Sequence, residues 1–543
     1  MKKSRVFLMV IALVLLVGSM SIAEGLKELS VFISDSLPDY PSDGTILGEI
    51  IREETGIKLD REYLVGDVET KAGLMIASGD YPDMLVAAHF TDRFVDNGVL
   101  IPLNDLIEEH APNIKKYYEP HMESLKKDDG NIYYLPQQAI PFGSASRRYP
   151  AVGFFINKRV LEDAGYPIIK TFDQYFELIE NYMEENPEYN GQSTIGYMTL
   201  FDSWRFFASN NGPMHLMGYP NEGGFIPVKE GEDFVVRPYN GGNVEKYYYQ
   251  KLNEMYNKGV VDPETFVANY DQYLEKLSSG RVLGTHNQYW QIQQAQEILV
   301  QEDPDSIFVP FPVVYDEAVE EFTRDTPYIQ TTQGMGITID CEDPVAAIKY
   351  LDYIVGNQTL IQWGIEGEHY KVDENGHYYR TEEQQAMFRD REWVQNEFGR
   401  HYFYNAFPSL MGVDENGNSY MPDRQPSMIY DGASEAEREV MDAYDIKSFT
   451  ELYNNPRNIT DVPYYPLWTI SLETGSPAQI EQTRLQDTQR EFYPRLVMSS
   501  PEEYESVWQQ YHDRISGLMD EQIEAYQEEI DWRVENWTPE SEE

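Results

Sequence analysis

The chain has 543 residues, of which 41% are hydrophobic and 13% aromatic, so it is long enough for two or more domains with sizeable cores. Its formal charge of −51 argues against binding to nucleic acid or anionic membrane surfaces and, more weakly, against a polyanionic ligand. The single cysteine, Cys341, excludes a disulfide within the chain.

The first residues have the order of a secretory signal peptide. Positive charges precede the apolar run Val6–Val17, and the small residues of Ser21-Ile22-Ala23 follow it. The run is far shorter than the roughly 20 residues of a membrane-spanning helix, although an uncleaved anchor stays an alternative. We expect residues 1–23 to be removed on export, which changes the formal charge from −51 to −54. Because no cysteine ends the signal, we expect an unlipidated protein, secreted or on the extracytoplasmic side of the membrane.

The next segment alternates strands and helices. Periodicity of the apolar residues predicts four elements in turn: a strand at Leu29–Ile33, a helix at Leu47–Ile51, a strand at Ile57–Tyr63 and a helix at Val68–Ser78. Gly56 and Gly79 stand where helix ends favour glycine. The short apolar run Met84–Ala88 predicts a buried parallel strand. This order indicates an α/β sheet.

The same alternation recurs after residue 150. The first predicted elements are a strand at Val152–Ile156, a helix at Lys158–Ala164 and a helix opened by a capping box of Thr171 and Gln174. Helices at Val244–Lys258 and Tyr270–Ser279 and a short strand from Val282 follow. The last are a helix from Asp343-Pro344 to Val355 and a long acidic C-terminal helix from Ser500 with an interruption at Gly517. Stretches near 211–243 and 412–434 are typical of surface loops or excursions.

Six short segments are informative through their order and spacing. They are Leu74–Asp83, Gly98–Ile107, Asp129–Pro136, Phe155–Lys158, Ser279–Val282 and Trp363–Tyr370. Together they resemble the extracellular solute-binding proteins of family 1, particularly its larger members. The resemblance implies an α/β, two-lobed, periplasmic-binding-protein-like fold (type 2) with an interlobe ligand cleft. It also implies a non-enzymatic component of an ABC importer, which captures a carbohydrate, here an oligosaccharide, and delivers it to permease subunits.

The resemblance also implies a division of the chain. We expect a first lobe from 24–145 with about 335–400, and a second lobe from 146–334 with about 401–543, including the C-terminal helices. We expect a monomer without a cofactor. Larger family members often carry a calcium loop after the helix that corresponds to 172–186. Here Asn186–Ile195 lacks the alternating oxygen ligands of such a loop, so we expect no metal.

Two alternatives stay open. An extracellular glycoside hydrolase needs two carboxylates across a cleft, and 93 acidic residues do not exclude such a pair by composition. A binding protein that feeds a membrane sensor, instead of a transporter, fits the same sequence features. The sequence has no nucleophile elbow, no His-Glu-x-x-His pair and no phosphate loop, so we do not expect an enzyme.

Sugars have flat apolar faces ringed by hydroxyls, so a site for them needs aromatic planes with amide, carboxylate or guanidinium partners. We predict that His89, Asp92, Tyr289 and Trp290 bind the ligand because they follow predicted strands. Gln138 and Arg147, which come after Leu135-Pro136 at the expected first crossing between lobes, Trp468 in a Pro- and Tyr-rich stretch, and Trp204 complete the predicted set. Tyr289 and Trp290 are expected to form a stacking wall for a sugar ring, with His89 and Asp92 as polar partners from the other lobe. Trp204 is equally compatible with a place in the core.

Overall fold

A computed structural model of the chain describes residues 26–35, 40–127, 129–141, 145–219, 225–231, 233–321, 331, 333–404, 407–453, 470, 472–473 and 475–536. The predicted signal peptide and the predicted ligand residue Trp468 lie outside these ranges. None of the helices in the described ranges is long and apolar enough to pass through a lipid bilayer.

The described residues form two compact units, each built from separate segments of the chain. The first unit takes the described residues within Met1–Pro141, Thr331–Tyr370 and Thr381–Leu410. The second unit takes those within Phe142–Gln330, Lys371–Arg380 and Met411–Glu543. Neither unit is therefore a continuous stretch of sequence.

The first unit contains a five-stranded mixed sheet. In spatial order its strands are Ile57–Tyr63, Lys27–Ile33, Met84–Val86, Met335–Ile337 and Tyr134–Leu135. The first three are parallel, with Val31 opposite both Arg61 and Met84, and Met335–Ile337 is antiparallel to its two neighbours. A separate parallel pair joins Gln138–Ala139 to Ser409–Leu410. The main helices are Ile46–Thr55, Val68–Ser78, Thr91–Asp96, Asn104–His110, Pro112–Tyr118, Pro344–Gly356, Gln358–Gln362, Glu382–Arg389 and Arg400–Tyr404.

The second unit contains a four-stranded sheet and most of the helical mass. In spatial order the strands are Phe308–Phe311, Val152–Asn157, Val282–Gln288 and Ile195–Tyr197. Val152–Asn157 is antiparallel to both neighbours, and Val282–Gln288 is parallel to Ile195–Tyr197. The two central strands are buried along their whole length. The main helices are Lys158–Asp163, Phe172–Glu185, Phe207–Asn210, Gly212–Leu216, Asn243–Asn257, Tyr270–Ser278, Tyr289–Glu302, Pro426–Ile429, Glu435–Ala443, Pro477–Met498, Tyr504–Ile515 and Asp520–Asn536.

Two of the sequence predictions for the second unit were wrong. The stretch 211–243 was expected to be a surface loop or excursion, but it contains the buried helix Gly212–Leu216 as well as an antiparallel hairpin of Ile226–Glu230 and Asp233–Arg237. The strand that begins at Val282 was expected to end near Thr285, but it continues to Gln288. The polar side chains at its end can be buried because they have hydrogen-bond partners. The Thr285 and Asn287 side chains, for example, both bond the Tyr273 hydroxyl.

The C-terminal helix was predicted from Ser500 with a break at Gly517, and the break is confirmed. The structure has two helices, Tyr504–Ile515 and Asp520–Asn536, and Gly517 lies between them with φ of 140°. That backbone conformation is open to glycine and strained for other residues.

The predicted capping box at Thr171 is confirmed and gives a stability prediction. Thr171 Oγ1 accepts the Gln174 N–H at 3.2 Å, and Gln174 Oε1 accepts the Thr171 N–H at 3.1 Å. We expect Thr171→Ala to lower the free energy of unfolding by about 1 kcal/mol, because the Gln174 N–H in the first turn of the helix loses its acceptor. Urea unfolding measures the change. Thr171→Ser keeps the cap and should behave as wild type; an equal loss in both variants would contradict the capping role.

Candidate functional site

The second unit brings aromatic side chains to the end of one buried strand. Val282–Gln288 ends at Gln288, and the helix Tyr289–Glu302 begins at the next residue. The Tyr289 N–H donates to the Ala151 carbonyl at 2.8 Å, which fixes the start of the helix to the neighbouring segment. Trp290, the second residue of the helix, is therefore held by backbone on a rigid part of the fold.

Two tryptophans form an exposed aromatic surface at this place. Trp290 is 48% exposed and Trp204 is 56% exposed. Their ring planes differ by 13° and their centroids are 5.9 Å apart, and Phe207 flanks both at 5.8 Å and 6.1 Å. We call Trp204, Phe207 and Trp290 the indole shelf. Exposed aromatic rings held in fixed planes suit the flat apolar face of a ligand.

Polar groups surround the shelf. Trp290 Nε1 donates to Gln288 Oε1 at 3.2 Å, so the indole nitrogen is satisfied and its orientation is fixed. The Arg205 guanidinium lies 4.4 Å from the Trp204 ring centroid and donates to Gln291 Oε1 at 3.1 Å. Gln288 and Gln291 are buried, so of these three polar side chains Arg205 is the one that a ligand's hydroxyls can reach.

His286 of the same strand forms a buried pair with His215 of the helix Gly212–Leu216. His286 Nδ1 bonds the Ala208 carbonyl at 2.8 Å, and His286 Nε2 bonds His215 Nδ1 at 2.8 Å. A carbonyl only accepts, so His286 Nδ1 carries a proton, and in the neutral ring His286 Nε2 then accepts from His215. Burial lowers the pKa of His286 to about 4, and burial together with His286 holds the pKa of His215 well below its usual range. The pair is therefore neutral at pH 7.

The first unit contains a second polar cluster, around Asp92. Asp92 follows the strand Met84–Val86 on the helix Thr91–Asp96, and its Oδ1 lies 2.6 Å from Lys127 Nζ and 2.8 Å from the Tyr134 hydroxyl. Burial, and then the charge of Asp92, raise the pKa of Tyr134 well above 10. The Asp92 side chain is 30% exposed. It is therefore fixed by an ion pair and partly accessible to a ligand.

The predicted site residues have different surroundings. The His89 side chain and Trp468 lie outside what the structure describes. Gln138 is exposed at its backbone pairing with Ser409 in the first unit. Arg147, half-buried in the second unit, accepts the Ser448 and Thr450 hydroxyls at its carbonyl.

The expectation that Tyr289 and Trp290 together form a stacking wall for a sugar ring stays a prediction, but the two side chains have different surroundings in the structure. The Tyr289 ring is partly buried and stacks on Tyr149 with centroids 4.1 Å apart and planes 8° apart. Consecutive helical residues point in different directions, so Tyr289 turns toward the core while Trp290 stays exposed. Trp204 takes its place beside Trp290. The sequence analysis did not predict Arg205, which lies within the aromatic run Trp204–Phe207. Which residues of that run are exposed depends on the fold and cannot be told from the sequence.

The segment Asn186–Ile195 is a hairpin. Glu188–Tyr189 pairs with Gln192–Ser193, and Asn190 and Gly191 both have positive φ, as a two-residue turn of this type requires. Within the described ranges, no three His, Cys, Asp or Glu side chains are grouped so that they could hold a metal ion.

Comparison with known proteins then decides the family. The family described as bacterial extracellular solute-binding protein matches residues 48–366. The chain belongs to this family. Among curated relatives, the fructooligosaccharide ABC transporter substrate-binding protein FusA of Streptococcus pneumoniae serotype 4 is 26% identical over 269 residues, 46% of this chain and 48% of FusA. This solute-binding protein thus spans about half the length of the curated relatives it matches.

Solved structures of solute-binding proteins share the fold. An EF-hand mutant of FusA in complex with fructo-nystose has a TM-score of 0.65 at 16% identity, covering 94% of this chain and 100% of that one. An HMO-binding, ABC-transporter-associated solute-binding protein from Bifidobacterium longum infantis has a TM-score of 0.61 at 16% identity, covering 94% and 99%. The α/β periplasmic-binding-protein-like fold that we predicted is confirmed by these neighbours.

Proposed function

We propose that this protein is the extracytoplasmic substrate-binding component of an ABC importer and that it captures an oligosaccharide. The observation that carries the proposal is the indole shelf, with two near-parallel, half-exposed indoles in the second unit. Free energy is gained when an apolar face covers such rings, and a sugar ring offers that face. The named function of FusA supports the same ligand class.

The remaining parts of the proposal follow the sequence predictions. The protein loses residues 1–23 on export, stays unlipidated and monomeric, and delivers its ligand to permease subunits. The two compact units act as the two lobes of the fold. The part of the expected site that includes His89, Asp92, Gln138, Arg147 and Trp468 stays a prediction, as does a cleft between the lobes.

A thermal unfolding screen tests the function. The protein lacking residues 1–23 is mixed with a panel of oligosaccharides that includes fructooligosaccharides. We expect one glycan class to raise the melting temperature, because a ligand at ten times its Kd adds about 1.4 kcal/mol to the free energy of unfolding. Chromatography of the same samples should recover the glycan intact. Absence of any shift across the panel would contradict the proposal, and cleaved glycan would support the hydrolase alternative.

A further inference from the structure

The turn that carries Trp204 contains a strained backbone. Ser203 has φ of 48°, in the left-handed region that side chains other than glycine rarely adopt. The other described non-glycine residues with positive φ are Ala88, Tyr166, Asn190 and Asp445, of which Asn190 is explained by its hairpin turn. Ser203 begins the single 3-10 turn Ser203–Phe206, outside any hairpin, and immediately precedes the more exposed indole of the shelf. Strain of this kind persists only where the surroundings enforce it.

The residues around Ser203 are anchored to three different helices. Asp202 Oδ2 accepts the Tyr270 N–H at 3.1 Å, at the start of the helix Tyr270–Ser278. The Ser203 carbonyl accepts Arg490 Nη2 at 2.7 Å, from the helix Pro477–Met498. Arg205 donates to Gln291 on the helix Tyr289–Glu302.

Arg490 holds the turn in a second way. Its guanidinium lies 4.0 Å from the ring centroid of Phe206, which is buried. The same side chain therefore fixes the carbonyl of Ser203 and covers the ring three residues later. Trp204 lies between these two contacts, so its backbone, and with it the direction of its Cα–Cβ bond, is held on both sides.

We propose that Ser203 and Arg490 are positioning residues, which hold the Trp204 indole in the orientation that the ligand needs. The proposal rests on the proposed function of the shelf. A ligand that meets an already ordered indole does not have to restrict that side chain on binding, and this preserves affinity. The left-handed conformation of Ser203 sets the backbone course of the turn, and the hydrogen bond from Arg490 to the Ser203 carbonyl stabilises it.

The test compares two substitutions at Ser203. Ser203→Gly accepts the same φ without strain but also allows other conformations, so the indole should sample more orientations and affinity should fall roughly two- to tenfold. Ser203→Ala keeps the left-handed backbone and removes only an exposed hydroxyl, so it should bind as wild type. Arg490→Met removes the hydrogen bond to the Ser203 carbonyl and should act in the same direction as Ser203→Gly.

A measurement without ligand separates positioning from a general structural role. Protein labelled with 5-fluorotryptophan gives one ¹⁹F signal for each of its 8 tryptophans, and Trp204→Phe assigns the Trp204 signal. We expect Ser203→Gly and Arg490→Met to shift or broaden the Trp204 signal while urea unfolding stays near wild type. An unchanged Trp204 signal in both variants would overturn the proposal, as would equal affinity losses in Ser203→Gly and Ser203→Ala. If wild type binds no glycan, the proposed function fails, and the ¹⁹F signals alone decide whether these residues order Trp204.

Discussion

Replacing Trp290 by alanine is expected to weaken glycan binding by roughly tenfold to seventyfold. Covering one aromatic face buries roughly 60–100 Å², which at about 25 cal/mol/Å² contributes about 1.5–2.5 kcal/mol. The free energy of unfolding should change little, because nearly half of the residue is already exposed in the free protein. Calorimetric titration measures the affinity, and urea unfolding measures the stability.

Trp532 provides a matched control for this substitution. It is 42% exposed, close to the value for Trp290, and lies on the helix Asp520–Asn536 of the same unit. Trp532→Ala should leave glycan affinity at the wild-type value. Equal affinity in Trp290→Ala and wild type, or equal losses in the two alanine variants, would contradict the role of the shelf. A Trp290→Ala protein that unfolds, while its folded fraction keeps full affinity, would place Trp290 in the core.

Acidification from pH 7 to pH 4.5 is expected to lower the free energy of unfolding by about 2 kcal/mol through the buried ring of His286. Burial lowers its pKa in the folded protein from 6.5 to about 4, so the unfolded chain takes up a proton that the folded chain does not. This stability is complete above the unfolded pKa and is lost as the pH falls toward the folded pKa. His215, whose pKa is lowered well below 6.5, acts with the same sign.

Glu245 changes the free energy of unfolding in the opposite direction over the same pH range. The effect of His286 is therefore measured by comparing a His286 variant with wild type. Burial raises the pKa of Glu245 to about 7, although the Gly241 N–H and two tyrosine hydroxyls donate to it. Its contribution to stability is present at low pH and is lost between pH 4.5 and about 7. We therefore expect His286→Gln to lose about 2 kcal/mol less than wild type on acidification, as measured by urea unfolding at both pH values. Equal losses would show that His286 does not titrate as its burial implies.

Helix ends were the part of the fold that the sequence predicted best, because their signals are local. Gly56 and Gly79 adopt φ of 69° and 68° at the predicted ends, and the Asp343 side chain accepts the Ala346 N–H at its predicted cap. The hairpin at Ile226–Arg237 could not be predicted in the same way. Val236 donates its N–H to Gln527, 291 positions later in the sequence, and such a contact leaves no local pattern.

Trp204 and Trp290 were both among the predicted ligand-binding residues, but their pairing with each other was not predicted. An aromatic pair at the end of the strand from Val282 was expected, and the structure has one. The expected partner of Trp290 was its neighbour Tyr289, but the Tyr289 ring packs on Tyr149, and Trp204 stacks beside Trp290 instead. Which of these aromatics is exposed depends on packing between distant segments. The positive φ of Ser203 and the contact of its carbonyl with Arg490 are likewise properties of the folded chain.

The most direct test of carbohydrate capture at the shelf is a crystal structure of the protein with the glycan that gives the largest thermal shift. We predict electron density for a sugar ring lying against the exposed face of Trp290 or Trp204, with hydroxyls in reach of side-chain amide or guanidinium groups. A glycan ordered elsewhere on the protein, with both indoles uncovered, would contradict the account.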